Sequence, residues 1–258
     1  MVKNFFSNKV ILITGGSSGL GRTFVDFFLS KGAKVIVCSR NNKFKKNNYY
    51  RKTLFFFKFD LINTNKIKPF IKKLIRQFKK IDILINNAGI AEPKKIASLE
   101  NKYLLKNFKV NFFAPSLITK EVIKAMKKNN FGRIINISSG GSVNCVENYF
   151  SYSASKAALN TLTKTLSKEI KNFDIKVNSM SPGPCKTKMF PKNKLSTKLS
   201  LPTVEYLSSL DAKGPSGKFF WFLNEIDIFP NLKHIKHNTV LGHHDPLMKK
   251  KYFYLNYL

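Results

Sequence analysis

"TGGSSGLG", residues 14–21, closes a short apolar run, KVILIT (9–14), and opens a stretch of helical periodicity, GRTFVDFFLSKG (21–32). A strand that passes through a glycine-rich turn into a helix can bring bare backbone close to an anion. Gly15, Gly19 and Gly21 permit the tight turn, and the helix N-terminus then faces the negative charge. Ser17, Ser18 and Leu20 fill the turn between them and are candidate contacts to a pyrophosphate. The spacing TGxxxGxG differs from the GxGxxG of other dinucleotide-binding turns, and alone it is also compatible with a plain strand–helix connection. The rest of the chain decides between the two.

Outward from this turn, short β-branched or aromatic runs alternate with helical patterns. Strand candidates are KVILIT (9–14), AKVIVCS (33–39), TLFFFKFD (53–60), DILINNA (82–88), RIINISS (133–139), IKVNSMS (175–181) and KFFWFL (218–223). Segments such as KIKPFIKKLIRQF (66–78) between them repeat apolar residues at helical spacing. The alternation predicts an α/β fold with one doubly wound parallel sheet of about seven strands and helices on both faces. Residues 1–223 form the expected catalytic domain. Residues 224–258 break the alternation and form an atypical tail packed on it, and 41–52 reads as a polar loop.

The chain has 258 residues and a formal net charge of +32. Such a balance normally suggests nucleic acid. Here only five of the 46 basic residues are arginine, the lysines are scattered, and Lys, Asn, Ile and Phe are all abundant, the signature of A/T-rich codons. Nucleic acid is therefore not the expected specific partner. Cys38, Cys145 and Cys185 are odd in number and form no CxxC, which fits a reducing cytoplasm rather than a disulfide framework. The start, MVKNFFSNKVILITGG, does not read as a signal peptide, and no apolar run reaches the ~18 residues of a membrane span.

Several further motifs follow the glycine turn in order: Asp60-Leu61 ending the third strand, "NNAG" (86–89) ending the fourth, Asn111 in "KVNFFAP", Ser139 in "INISSGG", "YSASK" (152–156) and "SPGPCKT" (181–187). Together with TGGSSGLG they resemble the short-chain dehydrogenase/reductases, over residues 9 to about 190 and weakly to about 223. The resemblance implies a Rossmann-like NAD(P)-binding fold and carbonyl reduction or alcohol oxidation. Tyr152 and Lys156 share a helix face. Tyr152 is implied as general acid of reduction and base of oxidation. Lys156 would lower the phenol pKa from its usual value of about 10 and hold the nicotinamide ribose. Ser139 would hydrogen-bond the substrate oxygen, and Asn111 would anchor a water that relays protons to Lys156. Among cofactor contacts, Asp60 and Leu61 would border the adenine, and Asn87, Ala88 and Gly89 the adenine ribose side. Pro182 and Gly183 would shape the turn beneath the nicotinamide, and Thr187 would hold its carboxamide. A catalytically idle dinucleotide-binding sensor or scaffold is the alternative of another class, disfavoured by the intact Ser139, Tyr152 and Lys156.

NADP(H) is expected over NAD(H). Enzymes of this fold that choose NAD place an acidic side chain at the end of the second strand. This chain has Ser39 there and Arg40 next, so a 2′-phosphate meets a guanidinium instead of a carboxylate. Residues 186–198, with five lysines in thirteen residues, should flank the substrate entrance and would either steer an anionic substrate or stand as a solvated loop. A homodimer is expected through the helices holding Asn111 and Tyr152. The chain lacks the family's usual valine–aspartate–glycine–glycine ending, so tetramer assembly is doubtful. His234, His237, His243 and His244 fall in the tail, where no metal site is expected.

Overall fold

The computed structural model describes residues 5–44 and 52–229. The histidines of the tail, the closing MKKKYFYLNYL and most of the polar loop after Phe44 lie outside these residues. The described chain up to Ile226 belongs to one compact unit, three residues past the boundary expected from sequence.

Eight strands form one sheet in the order β3-β2-β1-β4-β5-β6-β7-β8. They are β1 (Val10–Thr14), β2 (Lys34–Ser39), β3 (Leu54–Lys58), β4 (Ile83–Asn86), β5 (Gly132–Ile137), β6 (Ile175–Ser181), β7 (Phe219–Trp221) and β8 (Asn224–Ile226). The first seven pair in parallel, as the alternation predicts. The eighth is an addition, an antiparallel partner of β7 in which Trp221 faces Asn224. Helices α1 (Gly19–Ser30), α2 (Ile67–Phe78), α3 (Asn101–Phe108), α4 (Ala114–Lys128), α5 (Gly141–Asn144), α6 (Phe150–Glu169) and α7 (Leu201–Ser209) connect them.

The strands are apolar at successive positions because both faces are covered. Ile11 and Ile13 of β1 join Phe24 and Phe28 of α1 and Leu207 of α7 on one face. Val10 and Leu12, pointing the other way, join Ile71 and Leu74 of α2 and Ile118 and Val122 of α4. Side-chain alternation along the strand thus builds two cores from one run of residues, each such buried aliphatic contributing ~1.5–3 kcal/mol.

Polar locks fix the register at the centre. Asn86 of β4 and Asn136 of β5 are direct partners. The Asn86 amide donates to Asn136 Oδ1 at 2.8 Å and to Thr119 Oγ1 at 3.1 Å, while the Asn136 amide donates to Thr163 Oγ1 at 2.9 Å. The two central strands are thereby tied to α4 and α6. At the opening of β5, Arg133 is buried and gives its Nε and Nη2 protons to the Leu210 carbonyl and an Nη1 proton to that of Asp174. A buried guanidinium needs such partners, and here it pins the end of α7 beneath the sheet.

Candidate active site

The carboxyl ends of β1, β4, β5 and β6 open into one cleft of about 900 Å³. It lies where strand order reverses between β1 and β4, the usual ligand crevice of an open parallel sheet. Every site residue predicted from sequence lines it except Asn111.

The glycine turn shows why side chains are missing there. Gly15 has φ +67°, and a Cβ on it would fall 2.9 Å from Ala88 Cα. A Cβ on Gly21 would lie 2.5 Å from the Gly15 carbonyl oxygen and 2.4 Å from Asn87 Nδ2. The turn is locked to the end of β4 by Thr14, whose Oγ1 accepts from the backbone N–H groups of Asn87 and Ala88, each at 3.0 Å. Asn87 returns the contact by donating its amide to the Thr14 carbonyl at 2.9 Å. Its side chain thus buttresses the turn from the wall of the cleft. Thr14 was not singled out in the sequence; its signal was its place as the last residue before the turn.

At the adenosine end, the hydroxyls of Ser17 and Ser39 are 2.8 Å apart, which joins the glycine turn to the end of β2. Arg40 is exposed, and no carboxylate among the described residues pairs with it. Asp60 Oδ1 accepts from the Ile62 N–H at 3.2 Å, a turn-capping role alongside its place on the cleft wall.

The catalytic end gathers around α6. Tyr152 and Lys156 are both buried, at 7% and 3% exposure. The Lys156 ammonium donates to the Ile137 carbonyl at 2.7 Å and lies 5.9 Å from the centre of the Tyr152 ring. Burial brings its pKa down from 10.5 to about 8. Burial also raises the Tyr152 pKa, the Ser139 hydroxyl opposes that rise through a hydrogen bond to the phenol, and the neighbouring Tyr149 adds to it. Desolvation is the largest influence on the phenol, and the Lys156 ammonium turns to the strand carbonyl. Ser139 also accepts from the Gly141 N–H at 3.1 Å, which orients its hydroxyl at the start of α5.

Asn111 sits behind this pair, fully buried in a π-helical turn, Lys109–Phe113, between α3 and α4. Its carboxamide clasps residue 90, accepting from the Ile90 N–H and donating to the Ile90 carbonyl, both at 2.9 Å, and it donates to Ser155 Oγ at 3.0 Å. The side chain is therefore taken up by protein groups, and it fixes the strand-to-helix passage beside Gly89. A π turn widens the helix and is often found at functional sites.

Three aromatic residues outside the sequence-predicted set shape the mouth. The Phe190 ring meets Tyr149 at 5.9 Å and Tyr152 at 6.2 Å. Trp221 stands over Gly140, where a Cβ would fall 2.4 Å from the indole, and Phe222 stands over Gly183, where the gap would be 2.5 Å. Thr187 Oγ1 accepts from the Phe190 N–H at 3.2 Å. Of the five lysines of residues 186–198, only Lys188 lines the cleft. Lys186, Lys192, Lys194 and Lys198 are exposed to solvent. Among the described residues there is no cluster of metal-ligating side chains.

A glycine-rich turn at a helix N-terminus, continuous with a buried tyrosine–lysine pair, fits a dinucleotide, and the class of protein so defined is that of the nicotinamide-dependent α/β oxidoreductases. A family model described as short chain dehydrogenase matches residues 9–197. The chain belongs to this family. It is 33% identical over 198 residues to a dehydrogenase/reductase SDR family protein 7-like of Drosophila melanogaster, a match covering 72% of this chain and 60% of that one. It is 35% identical over 183 residues to the 3-oxoacyl-[acyl-carrier-protein] reductase FabG of Buchnera aphidicola, covering 70% and 75%. The structure of 4-hydroxyisoleucine dehydrogenase complexed with NADH superposes with a TM-score of 0.74 at 32% identity, over 83% of this chain and 96% of that one. No described helix is long and apolar enough to cross a membrane.

Proposed function

We propose that this chain is an NADP(H)-dependent oxidoreductase that reduces a ketone carbonyl to an alcohol or runs the reverse oxidation. The observation that carries the proposal is the convergence of Ser139, Tyr152 and Lys156 at one end of a cleft whose other end is the glycine turn. The nicotinamide, when bound, supplies or accepts the hydride at carbon. The protein handles the oxygen. A substrate carbonyl beside Ser139 Oγ and the Tyr152 phenol receives two hydrogen bonds, and the phenol proton passes to the oxygen as negative charge develops there. The phenol is the proton donor in this step, and its hydrogen bond with Ser139 counters the rise that burial imposes on its pKa. Lys156 and the backbone around the π turn at Asn111 stand behind the phenol to return the proton.

NADP(H) is preferred in this reading because Ser39 and Arg40 present no carboxylate to a 2′-phosphate. A homodimer through α4 and α6 is part of the same proposal, supported by the exposed Phe113 and Phe150 at the starts of these helices. Reduced, free Cys38, Cys145 and Cys185 accord with a cytoplasmic setting.

The test is a panel of ketones, sugars and 3-oxoacyl thioesters followed by NADPH absorbance, with Tyr152→Phe as the control. Oxidation of NADPH that depends on both a carbonyl compound and Tyr152 supports the reading. Binding of dinucleotide with no turnover on any member of the panel would favour the idle sensor instead.

A further inference from the structure

The two side chains that would meet the carbonyl oxygen, Ser139 and Tyr152, are bordered by three apolar side chains from three separate segments. Trp221 of β7 lies against Gly140, where a Cβ would fall 2.4 Å from the indole. Val146, from the loop before α6, comes within 3.3 Å of a Cβ on Gly141. Phe190, from the segment after β6, meets the Tyr152 ring at 6.2 Å. All three line the cleft. Val146 is 48% exposed there, so an apolar group entering the cleft would cover it.

Two of these walls are fixed by the fold. Phe190 sits in a closed loop. Across its neck the Lys186 N–H donates to the Leu195 carbonyl at 2.8 Å, and within it the Phe190 N–H donates to Thr187 Oγ1 at 3.2 Å while the Phe190 carbonyl accepts from the Asn193 N–H at 3.3 Å. Trp221 is held in the sheet between Ser181 of β6 and Asn224 of β8. Apolar walls already in place do not have to be ordered when a ligand binds.

Most polar groups of the same region are engaged elsewhere. Glu92 pairs with Lys106 at 2.6 Å, Lys156 donates to the Ile137 carbonyl, and the Asn193 amide turns to the Cys185 carbonyl at 3.4 Å. Asn144 and Lys188 also line the cleft, and both are exposed to solvent. A polyol pressed against the three apolar walls would give up water without gaining partners. A planar apolar group would instead extend the cluster of Tyr149, Tyr152 and Phe190, whose ring centres lie 6.3, 5.9 and 6.2 Å apart.

We propose that the substrate is a ketone bearing an aromatic group, and that Phe190 and Trp221 select it. This deepens the reductase reading above and rests on it.

Benzylacetone, butanone and 4-hydroxy-2-butanone carry the same methyl ketone and differ only at the end of a two-carbon arm, so their intrinsic reactivity is nearly matched. Their kcat/KM values are measured in the wild type, Phe190→Ala, Trp221→Ala, Phe190→Leu and Trp221→Phe, with dihydroxyacetone phosphate as an anionic comparison. The wild type should favour benzylacetone over each of the others by ~10- to 100-fold, the scale of burying one phenyl ring. Each alanine variant should cut that ratio at least ~5-fold. Phe190→Leu and Trp221→Phe, which keep an apolar side chain, should retain more of it. The ratio is read because a general loosening of the site lowers all rates together and leaves it unmoved. Trp221 is the single tryptophan of the chain, so its fluorescence in the wild type reports binding of benzylacetone, and of dinucleotide, without turnover. A wild type that turns over butanone, the hydroxyl compound or the phosphate as well as benzylacetone overturns the aromatic class while the reductase reading stands, and this arm holds even if an alanine variant fails to fold. A preference for benzylacetone that survives both alanine variants overturns the selecting role of Phe190 and Trp221. A wild type that binds dinucleotide yet turns over no ketone of this set or of the wider panel removes the reductase reading, and the substrate class with it.

Discussion

The ammonium of Lys156 gives a proton to the carbonyl of Ile137 at 2.7 Å, tying the middle of the catalytic helix to the last residue of β5. This bond orders the site, yet it holds a charge inside the protein. The pKa of Lys156 falls from 10.5 to about 8 because burial disfavours the ammonium, a difference worth roughly 3 kcal/mol.

The consequence for stability has a definite sign. Between pH 8 and 10.5 the unfolded chain binds a proton at this lysine that the folded chain has lost, so the contribution of Lys156 to stability improves as pH rises through that window. Below pH 8 the penalty is present in full. Lys156→Met should therefore be more stable than wild type at pH 7, less the cost of an unpaired Ile137 carbonyl, and the advantage should shrink towards pH 10. Urea unfolding at a series of pH values measures it; a gap that does not change between pH 7 and 10 refutes a buried ammonium.

Tyr152→Phe deletes the transferable proton and little else. Turnover should fall at least ~100-fold, while dinucleotide affinity measured through Trp221 stays within about twofold. Near wild-type turnover in the Phe variant would remove Tyr152 from the chemistry.

Ser139 also tunes the phenol. Its hydrogen bond opposes the burial-driven rise of the Tyr152 pKa. Alcohol oxidation needs the phenolate, so its rate should climb with pH. In Ser139→Ala that ascending limb should move to higher pH, in addition to any loss of rate. An unmoved limb would mean that Ser139 contacts substrate alone.

Cofactor choice should turn on the end of β2. A charged hydrogen bond of ~1.5–3 kcal/mol implies a preference for NADPH of ten- to a hundredfold. In Ser39→Asp/Arg40→Leu the preference should collapse or invert, because a carboxylate would then meet the 2′-phosphate. The ratio of kcat/KM for the two cofactors decides; a wild type that favours NADH, or a ratio unmoved by the double change, rules out Arg40 as the phosphate reader.

Gly21→Ala should be costly, since the new methyl meets the Gly15 backbone oxygen and Asn87, neither of which is free to move. Overpacking of this kind costs ~1–3 kcal/mol, several degrees of Tm in a domain of this size. Dinucleotide affinity should drop with it. A variant with unchanged Tm and affinity would contradict the packed turn.

The sequence carried the seven parallel strands through short runs rich in β-branched and aromatic residues, buried throughout in β1, β4 and β5 and half-buried in the edge strand β3. It did not carry β8. Asn224–Ile226 is exposed throughout, and the turn before it uses Phe222 at φ +52°, a conformation usually marked by glycine or asparagine. The candidate site was legible where chemistry demands a residue type, as at the glycines, Tyr152 and Lys156. It was less so where a side chain supports backbone: the bonds from the Asn87 carboxamide to the Thr14 carbonyl and from the Asn111 carboxamide to residue 90 are not marked in the sequence. The orientation of Lys156 towards Ile137 could not be read from helical spacing, which places a side chain on a face but not its terminal atom.

The ring of Trp221, set against Gly140, makes a strand outside the diagnostic motifs a wall of the reaction chamber. The last predicted site residue is Thr187, more than thirty positions earlier. A truncated gene product ending soon after it would keep every diagnostic motif, and a motif search would score it as intact. Its chamber would nonetheless stand open to solvent on one side. Recognisable parentage and a closed working site are, in this chain, encoded by different stretches of the gene.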